Sequence, residues 1–356
     1  MKRRPRQQPV TAGDVAKMAG VSRSAVSRTF TEGASVSPAT REVVTAAAQA
    51  LGYRPNLIAR SLITGRSNII GFILTHFDNQ FYPPLLQDLS IRLGAEGYRL
   101  LLFVIDIAAD FGPVLDEVLR HRVEALIMAS VTLSGRRAQA CRDAGLPVLL
   151  LNHRTSSEDF STVTGDNVSG ARAVADFLAA GEHRSFAVVT GLDHSAASRD
   201  RKDAFQGRLA ELGLPAPRLL AGDYQPERAR AAARELLSQP QRPDAIFCCN
   251  DHMALAVMGV AREEFGLTVG RDISIVGFDD APIGAWPEYR LTTYSQPIAS
   301  LVDSTARILH QMLAGEDEAP IHEIVSGDLI VRASARLPTS GLVLRDDGQQ
   351  VWRAKP

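Results

Sequence analysis

From Thr11 to Gly52 the apolar positions are small and recur at helical intervals, whereas from Asn68 onward they come as short unbroken runs divided by longer amphipathic stretches. The first part predicts three short helices. Thr11 with Asp14 three residues later has the spacing of a capping box, Val15, Ala16 and Ala19 supply an inward face, and Gly20 stops the helix. Ser22 is a suitable N-cap for a second helix with Ala25, Val26 and Thr29 inward, ending before Gly33. Ser37 followed by Pro38 opens a third, which runs to about Leu51 with Val43, Val44, Ala47 and Leu51 inward. Two short helices joined by a tight turn containing Gly20 form a helix-turn-helix. Residues 56 to 64, NLIARSLIT, with Asn56 as cap and Gly65 as breaker, make an amphipathic segment too short to be a stable helix alone in water.

The second part alternates strand and helix. Ile69 to Leu74, Tyr98 to Val104, Ala125 to Ala129, Pro147 to Leu151, Ser161 to Thr164, Phe186 to Thr190, Ala245 to Cys249 and Ser274 to Phe278 read as buried strands. Pro84 to Glu96, Val168 to Ala180, Met253 to Phe265 and Ala299 to Ala314 read as helices. This is the pattern of an α/β, doubly wound plan with parallel sheets, and the number of strands fits two similar lobes with a cleft at the strand carboxyl ends. The expected fold class is therefore an all-α helix-turn-helix head on a two-lobed α/β body.

Charge sharpens that division. The chain of 356 residues has a net charge of only −1, yet residues 1 to 66 hold 11 Lys and Arg against 3 acidic residues, and the rest is acidic. A basic head on an acidic body implies that the head alone meets a polyanion. No run of signal-peptide or membrane-spanning type is present, so a cytoplasmic location without a membrane partner is expected. Cys141, Cys248 and Cys249 lack metal-ligand spacing and read as reduced core thiols.

In a helix-turn-helix the start of the second helix reaches base edges in the major groove. Arg23, Ser24 and Arg28 lie opposite Ala25 and Val26 and are the candidates for reading bases, with arginine the more discriminating donor. Ser22 and Ser27 suit phosphates.

VTAGDVAKMAGVSRSAVSRTFTEGASVSPATREVVTAAAQALGYRPNLIARSLITGRSNIIG resembles the head and hinge of the LacI/GalR repressor family, and the likeness continues through the body. Ala25 and Thr31 depart from the family's usual Thr and Asn. The resemblance implies a basic tail over 1–9, a DNA-binding domain over 10–55 and a hinge over 56–66. It implies an effector-binding and dimerisation domain over 67–343, of the periplasmic-binding-protein type; residues 344–356, whose end QQVWRAKP lies beyond the likeness, read as a C-terminal tail. The lobes would comprise 67–164 with 294–322, and 165–293 with 323–343. Thr11, Asn56 and Ala59 join the DNA-binding set, with Leu62 as a minor-groove wedge from a hinge paired with its copy. The helix Ala299 to Ala314 and the early helices of the first lobe would make a homodimer.

Asp166, Asn250, Asp251, Asp279 and Asp280 directly follow predicted strands, where polar groups converge on a cleft. By the resemblance Asp166, Arg199, Asn250 and Asp279 are effector contacts, with Tyr224 an aromatic platform; Phe81 and Tyr82 are placed to line the opposite lobe. Such groups suit a hydroxyl-rich ligand, a sugar or sugar acid. No catalytic motif or metal cluster is found, His153 reads as a rim or surface residue, and no cofactor, metal or enzymatic activity is expected. The expected function is a transcriptional repressor that leaves a palindromic operator when its effector binds. A co-repressed regulator shares this architecture with opposite coupling, and a solute-binding protein shares only the body.

Overall fold

The computed structural model describes residues 10–31, 33–54, 66–75, 77–105, 110–129, 135–155, 158–316 and 319–354. They fall into two compact units, Met1–Ser67 and Asn68–Pro356. In the small unit, α1 (Ala12–Ala19), α2 (Arg23–Thr29) and α3 (Pro38–Leu51) begin at Thr11, Ser22 and Ser37, whose hydroxyls each accept a backbone N–H of the first turn. Asp14 completes the box at α1 by accepting the Thr11 N–H at 2.8 Å, and that bond holds its carboxyl below the ordinary carboxylate range. Gly20 and Gly52 close α1 and α3 in the left-handed region, where a side chain is strained.

Val15, Ala16, Val26, Val44, Ala47 and Ala48 form the core between these helices. Val43, expected inward, is 49% exposed. Residues 44, 47 and 48 define the buried stripe of α3, and the helical turn of 100° per residue carries Val43 off it. Arg41 Nη1 donates to the Thr29 carbonyl at 3.0 Å, fastening α3 to the end of α2.

The large unit has two sheets. The first contains β1 (Ile69–Leu74), β2 (Arg99–Val104), β3 (Ala125–Met128), β4 (Val148–Leu151), β5 (Ser161–Gly165) and β11 (His322–Val325), all parallel, in the order β11-β5-β4-β3-β1-β2. Alternation along β1 places Ile70, Phe72 and Leu74 in one core, with Leu85 and Leu89 of α4 (Tyr82–Ala95) and Leu301 of α11 (Ile298–Ala314). Ile73 points to the other face, towards Val118 of α5 (Phe111–Arg120) and Cys141 of α6 (Gly135–Asp143). Strands covered by helices on both faces read as continuous apolar runs, which is why these were legible.

The second sheet contains β6 (Phe186–Thr190), β7 (Arg218–Ala221), β8 (Ala245–Cys248), β9 (Ser274–Asp279), β10 (Thr292–Ser295), β12 (Leu329–Ile330), β13 (Leu342–Leu344) and β14 (Gln350–Trp352), in the order β13-β14-β12-β10-β9-β8-β6-β7. Its helices are α7 (Asn167–Ala180), α8 (Ala196–Glu211), α9 (Pro226–Leu237) and α10 (Asp251–Glu263). The chain changes sheet after Gly165, Ser295 and Val325, because β10 and β11 continue two residues past the expected crossings at Thr293 and Glu323.

The stretch 344–356, expected to be a tail, is corrected by β14. That strand pairs antiparallel with both β12 and β13, with Val351 buried and the Trp352 ring edge-on to Phe177 at 5.8 Å. Cys141, Cys248 and Cys249 are free and buried, and burial raises all three thiols above their ordinary range.

The end of β9 is held from inside. Asp279 (φ 128°) and Asp280 (φ 57°) both adopt conformations unfavourable to side chains, each costing about 1–3 kcal/mol. The buried Asp251 carboxyl fastens the turn: Oδ2 accepts the Ala281 N–H at 2.7 Å and Oδ1 shares a 2.6 Å hydrogen bond with the Thr293 hydroxyl. Gly277 leaves the room, since a Cβ there would meet Asp251 Oδ1 at 2.1 Å. From outside, Arg332 Nη2 donates to Asp280 Oδ1 at 2.7 Å.

Two outcomes are expected. Trp352→Ala should destabilise the large unit by about 3 kcal/mol in denaturant unfolding; an unchanged midpoint would make β14 incidental. Burial and the charge of Asp279 raise the Asp251 carboxyl from 3.8 to about 8. The folded chain then keeps a proton that the unfolded chain has shed, so this group's stabilisation fades as pH rises between these values. Unfolding of Asp251→Asn across that range should show a flatter pH dependence than the parent chain; a parallel profile would refute the assignment.

Candidate functional site

Two sites are described, one on each unit. On α2 the side chains of Arg23, Ser24, Ser27 and Arg28 are exposed on the face opposite Val26 and Thr29, while Ser22 caps the helix and shares a 2.8 Å hydrogen bond with the Ser24 hydroxyl. Arg28 Nε bonds back to the Ser24 carbonyl at 3.4 Å. The Arg23 guanidinium lies over Gly13, where an added Cβ would come within 2.8 Å of Nη2, so α1 leaves space for the arginine. Thr11 is exposed and engaged in its capping box. Asn56, Ala59, Leu62 and the tail 1–9 lie outside the described residues.

In the large unit a narrow cavity opens where both sheets end. The first lobe supplies Leu74 and Thr75 at the end of β1, Asn79 and Tyr82 before and at the start of α4, Ala129 after β3 and Asn152 after β4. From the second lobe come Ala197 and Arg201 of α8, Tyr224, Asn250 and Asp279. Of the expected effector contacts, then, Tyr82, Tyr224, Asn250 and Asp279 are brought together.

Three are not. Phe81 is sealed in the first lobe's core, edge-on to Tyr82. Asp166 caps α7, accepting the Ser169 N–H at 2.9 Å and the Ser326 hydroxyl at 3.1 Å, and so secures a lobe crossing. Arg199 is exposed on the outer side of α8 and donates to the Asp193 carbonyl.

The arginine in the cavity is Arg201, two residues and therefore about 200° further round the helix. Ala197, Phe205 and Leu209 are buried at intervals of four from it, so the inward stripe of α8 contained the signal that the motif match overlooked. Asn152 and Asn79 were also missed; Asn152 follows a predicted strand, the criterion applied to the other candidates. His153, expected at a rim or surface, is buried.

Arg201 is 3% exposed. Its Nε donates to Asn167 Oδ1 at 2.8 Å, Nη1 donates to the Cys249 carbonyl at 2.5 Å and approaches Asp279 Oδ1 at 3.4 Å, and the guanidinium stacks 3.7 Å from the Phe278 ring centre. Gln296 Nε2 also donates to Asp279 Oδ1, at 2.6 Å. Burial raises the Asp279 carboxyl, opposed by Arg201 and Gln296. Burial raises the Tyr224 phenol to about 12, so both it and the similarly raised Tyr82 face the cavity as neutral hydroxyls.

Backbone strain gathers here: Asn152, Tyr224 and Asp279 all have positive φ, at 53°, 59° and 128°. Tyr224 lies flat against Gly191, where a Cβ would fall 2.1 Å from its ring. Asn250 accepts the Met253 N–H with Oδ1, capping α10, which leaves its buried Nδ2 without a partner among the described residues. Asn152 Oδ1 is likewise buried and unpartnered. No cluster among the described residues is able to hold a metal ion, and no described helix is long and apolar enough to cross a membrane.

Comparison with known proteins supports both units. Residues 11–56 match the model for bacterial regulatory proteins of the lacI family, and residues 175–335 that for a periplasmic binding protein-like domain. The HTH-type transcriptional regulator GalS of Salmonella typhimurium is 30% identical over 311 residues, covering 86% of this chain and 91% of the relative. The lac repressor dimer bound to operator and the anti-inducer ONPF superposes with a TM-score of 0.82 at 27% identity, over 92% of this chain and all of the other. The complex of the transcriptional regulator CelR with cellobiose gives 0.70 at 27% identity and the same coverage. A helix-turn-helix with a basic, solvent-facing second helix, a two-lobed body and a relative of this identity place the chain in the lacI family of DNA-binding transcriptional regulators.

Proposed function

We propose that this regulator is a cytoplasmic homodimeric repressor that leaves a palindromic operator when a sugar or sugar acid occupies the cavity between its lobes. The observation that carries this reading is the cavity itself, whose polar side chains come from both sheets and include buried atoms without protein partners. A ligand held there touches both lobes, so its affinity depends on how the lobes are arranged, and DNA preferring another arrangement is weakened in return. The ion pairs described between the lobes are modest: Arg154 Nη2 bridges to Asp200 Oδ1 at 2.7 Å in an exposed pair worth at most about 1 kcal/mol, and His252 Nε2 lies 3.6 Å from Asp78 Oδ2. The ligand is bound and released unchanged. The related lac repressor and CelR structures, with ONPF and cellobiose, support ligands of this kind.

On α2, Arg23, Ser24 and Arg28 read bases and Ser22 and Ser27 meet phosphate; Thr11 and the hinge residues Asn56, Ala59 and Leu62 complete the DNA contacts. Among the cavity residues Arg201 takes the role that the sequence assigned to Arg199, with Tyr82, Tyr224, Asn250 and Asp279.

Selection of bound duplexes from a random pool, with and without sugars, tests the reading: an enriched palindrome whose yield falls with one compound is expected. A rise in yield would make the ligand a co-repressor, and no enrichment would refute the DNA role. Arg23→Ala should relax the preference at one operator position by about 1–3 kcal/mol, measured by competition between single-base variants. Arg201→Lys keeps the charge and loses the planar fork, so the effector response should weaken at least about tenfold with operator affinity retained. Arg199→Ala should respond as the parent does; the reverse ranking would restore Arg199 to the site.

A further inference from the structure

We infer that the cavity selects an uncharged polyhydroxylated ligand, a neutral sugar, against sugar acids and sugar phosphates. This rests on the reading of the cavity as the effector site and narrows it. Arg201 is the sole cationic side chain among the described residues that line the cavity. Its charge is matched by Asp279, its Nε and Nη1 are engaged by Asn167 and the Cys249 carbonyl, and its face is covered by Phe278. An anionic ligand therefore meets no uncompensated positive charge, and it meets the Asp279 carboxylate.

The unpartnered atoms point the same way. Asn250 Nδ2 is a donor, its orientation fixed because Oδ1 caps α10, and the other lobe contributes the Asn152 amide, whose buried Oδ1 has no partner among the described residues. A hydroxyl donates and accepts, so hydroxyl groups on one ligand satisfy both. A carboxylate or phosphate oxygen only accepts: it answers Asn250 but brings a second negative charge into the cavity that already holds Asp279. Sites whose buried polar atoms are left unmatched reject a ligand far more strongly than sites that merely lose a contact. The neutral phenols of Tyr82 and Tyr224 add rings for the C–H faces of a sugar and hydroxyls for its rim.

The test is calorimetric titration of the full chain with neutral hexoses and disaccharides including cellobiose, against hexuronates, aldonates and hexose phosphates, with operator release measured in parallel. A neutral sugar should bind at least about tenfold more tightly than its oxidised or phosphorylated counterpart. An acid or phosphate binding as tightly as the neutral parent would overturn the selectivity and leave the sugar-regulated reading standing. If no compound of either class binds or releases operator, both fall. Asn250→Asp preserves the helix cap and removes the donor, and should reduce neutral-sugar affinity about 10- to 100-fold with operator binding intact. Asn152→Gly suits the left-handed backbone and removes the acceptor, and should weaken the same sugar about tenfold. Unchanged affinity in both variants would refute the paired-hydroxyl contact.

Discussion

A guanidinium shut away from water is tolerated only when its charge is answered, and the second lobe is organised around answering that of Arg201. The groups that do so come from separate segments: Asn167 opens α7, Cys249 follows β8, and Phe278 and Asp279 end β9. One side chain of α8 thereby fixes the relative positions of these strand and helix ends. The arrangement extends outward, because Asp279 sits in a strained turn that Asp251 and Arg332 hold from opposite sides. The strain is sustained by contacts that survive only in the folded lobe, which gives the cavity a rigid floor before any ligand arrives.

The opposite wall is built differently. The first lobe contributes no charged group to the described cavity lining, only neutral side chains such as Thr75, Asn79, Tyr82 and Asn152. A fixed, internally neutralised floor thus faces an uncharged wall, so the lobe movement proposed above would carry no charge of that wall through low dielectric. The exposed Arg154–Asp200 pair is weak enough to permit that movement.

How much of this was readable in the chain depended on the physical signal each part leaves. Strands buried on both faces, such as β1, β6 and β8, announce themselves as apolar runs, and the caps at Thr11, Ser22 and Ser37 follow from local chemistry. β7 alternates half-buried and exposed residues, β10 is rich in Thr and β12 has two residues, so their existence depends on neighbours far away in sequence. At the cavity Asn250 and Asp279, at the ends of strands, were found, whereas Asn152 at another strand end and Arg201 within a helix were not. Arg199 and Arg201 are nearly equivalent as motif letters and nearly opposite as directions on α8. Only the spacing of Ala197, Phe205 and Leu209 distinguishes them. Asp166 shows the converse error: a polar residue after a strand serves equally well as a helix cap, and here it is one.

The position of β14 between β12 and β13 has a consequence for the order in which the protein is made. A chain emerging from the ribosome folds from its first domain onward. The three helices of the head are complete once residue 51 has cleared the exit tunnel, whereas the second lobe cannot close its sheet until residue 352 has done so. The helices of the head are thus finished some 300 residues before the sheet of the second lobe. During synthesis the chain passes through a stage in which the head is folded while the second lobe still lacks the strand that closes its sheet.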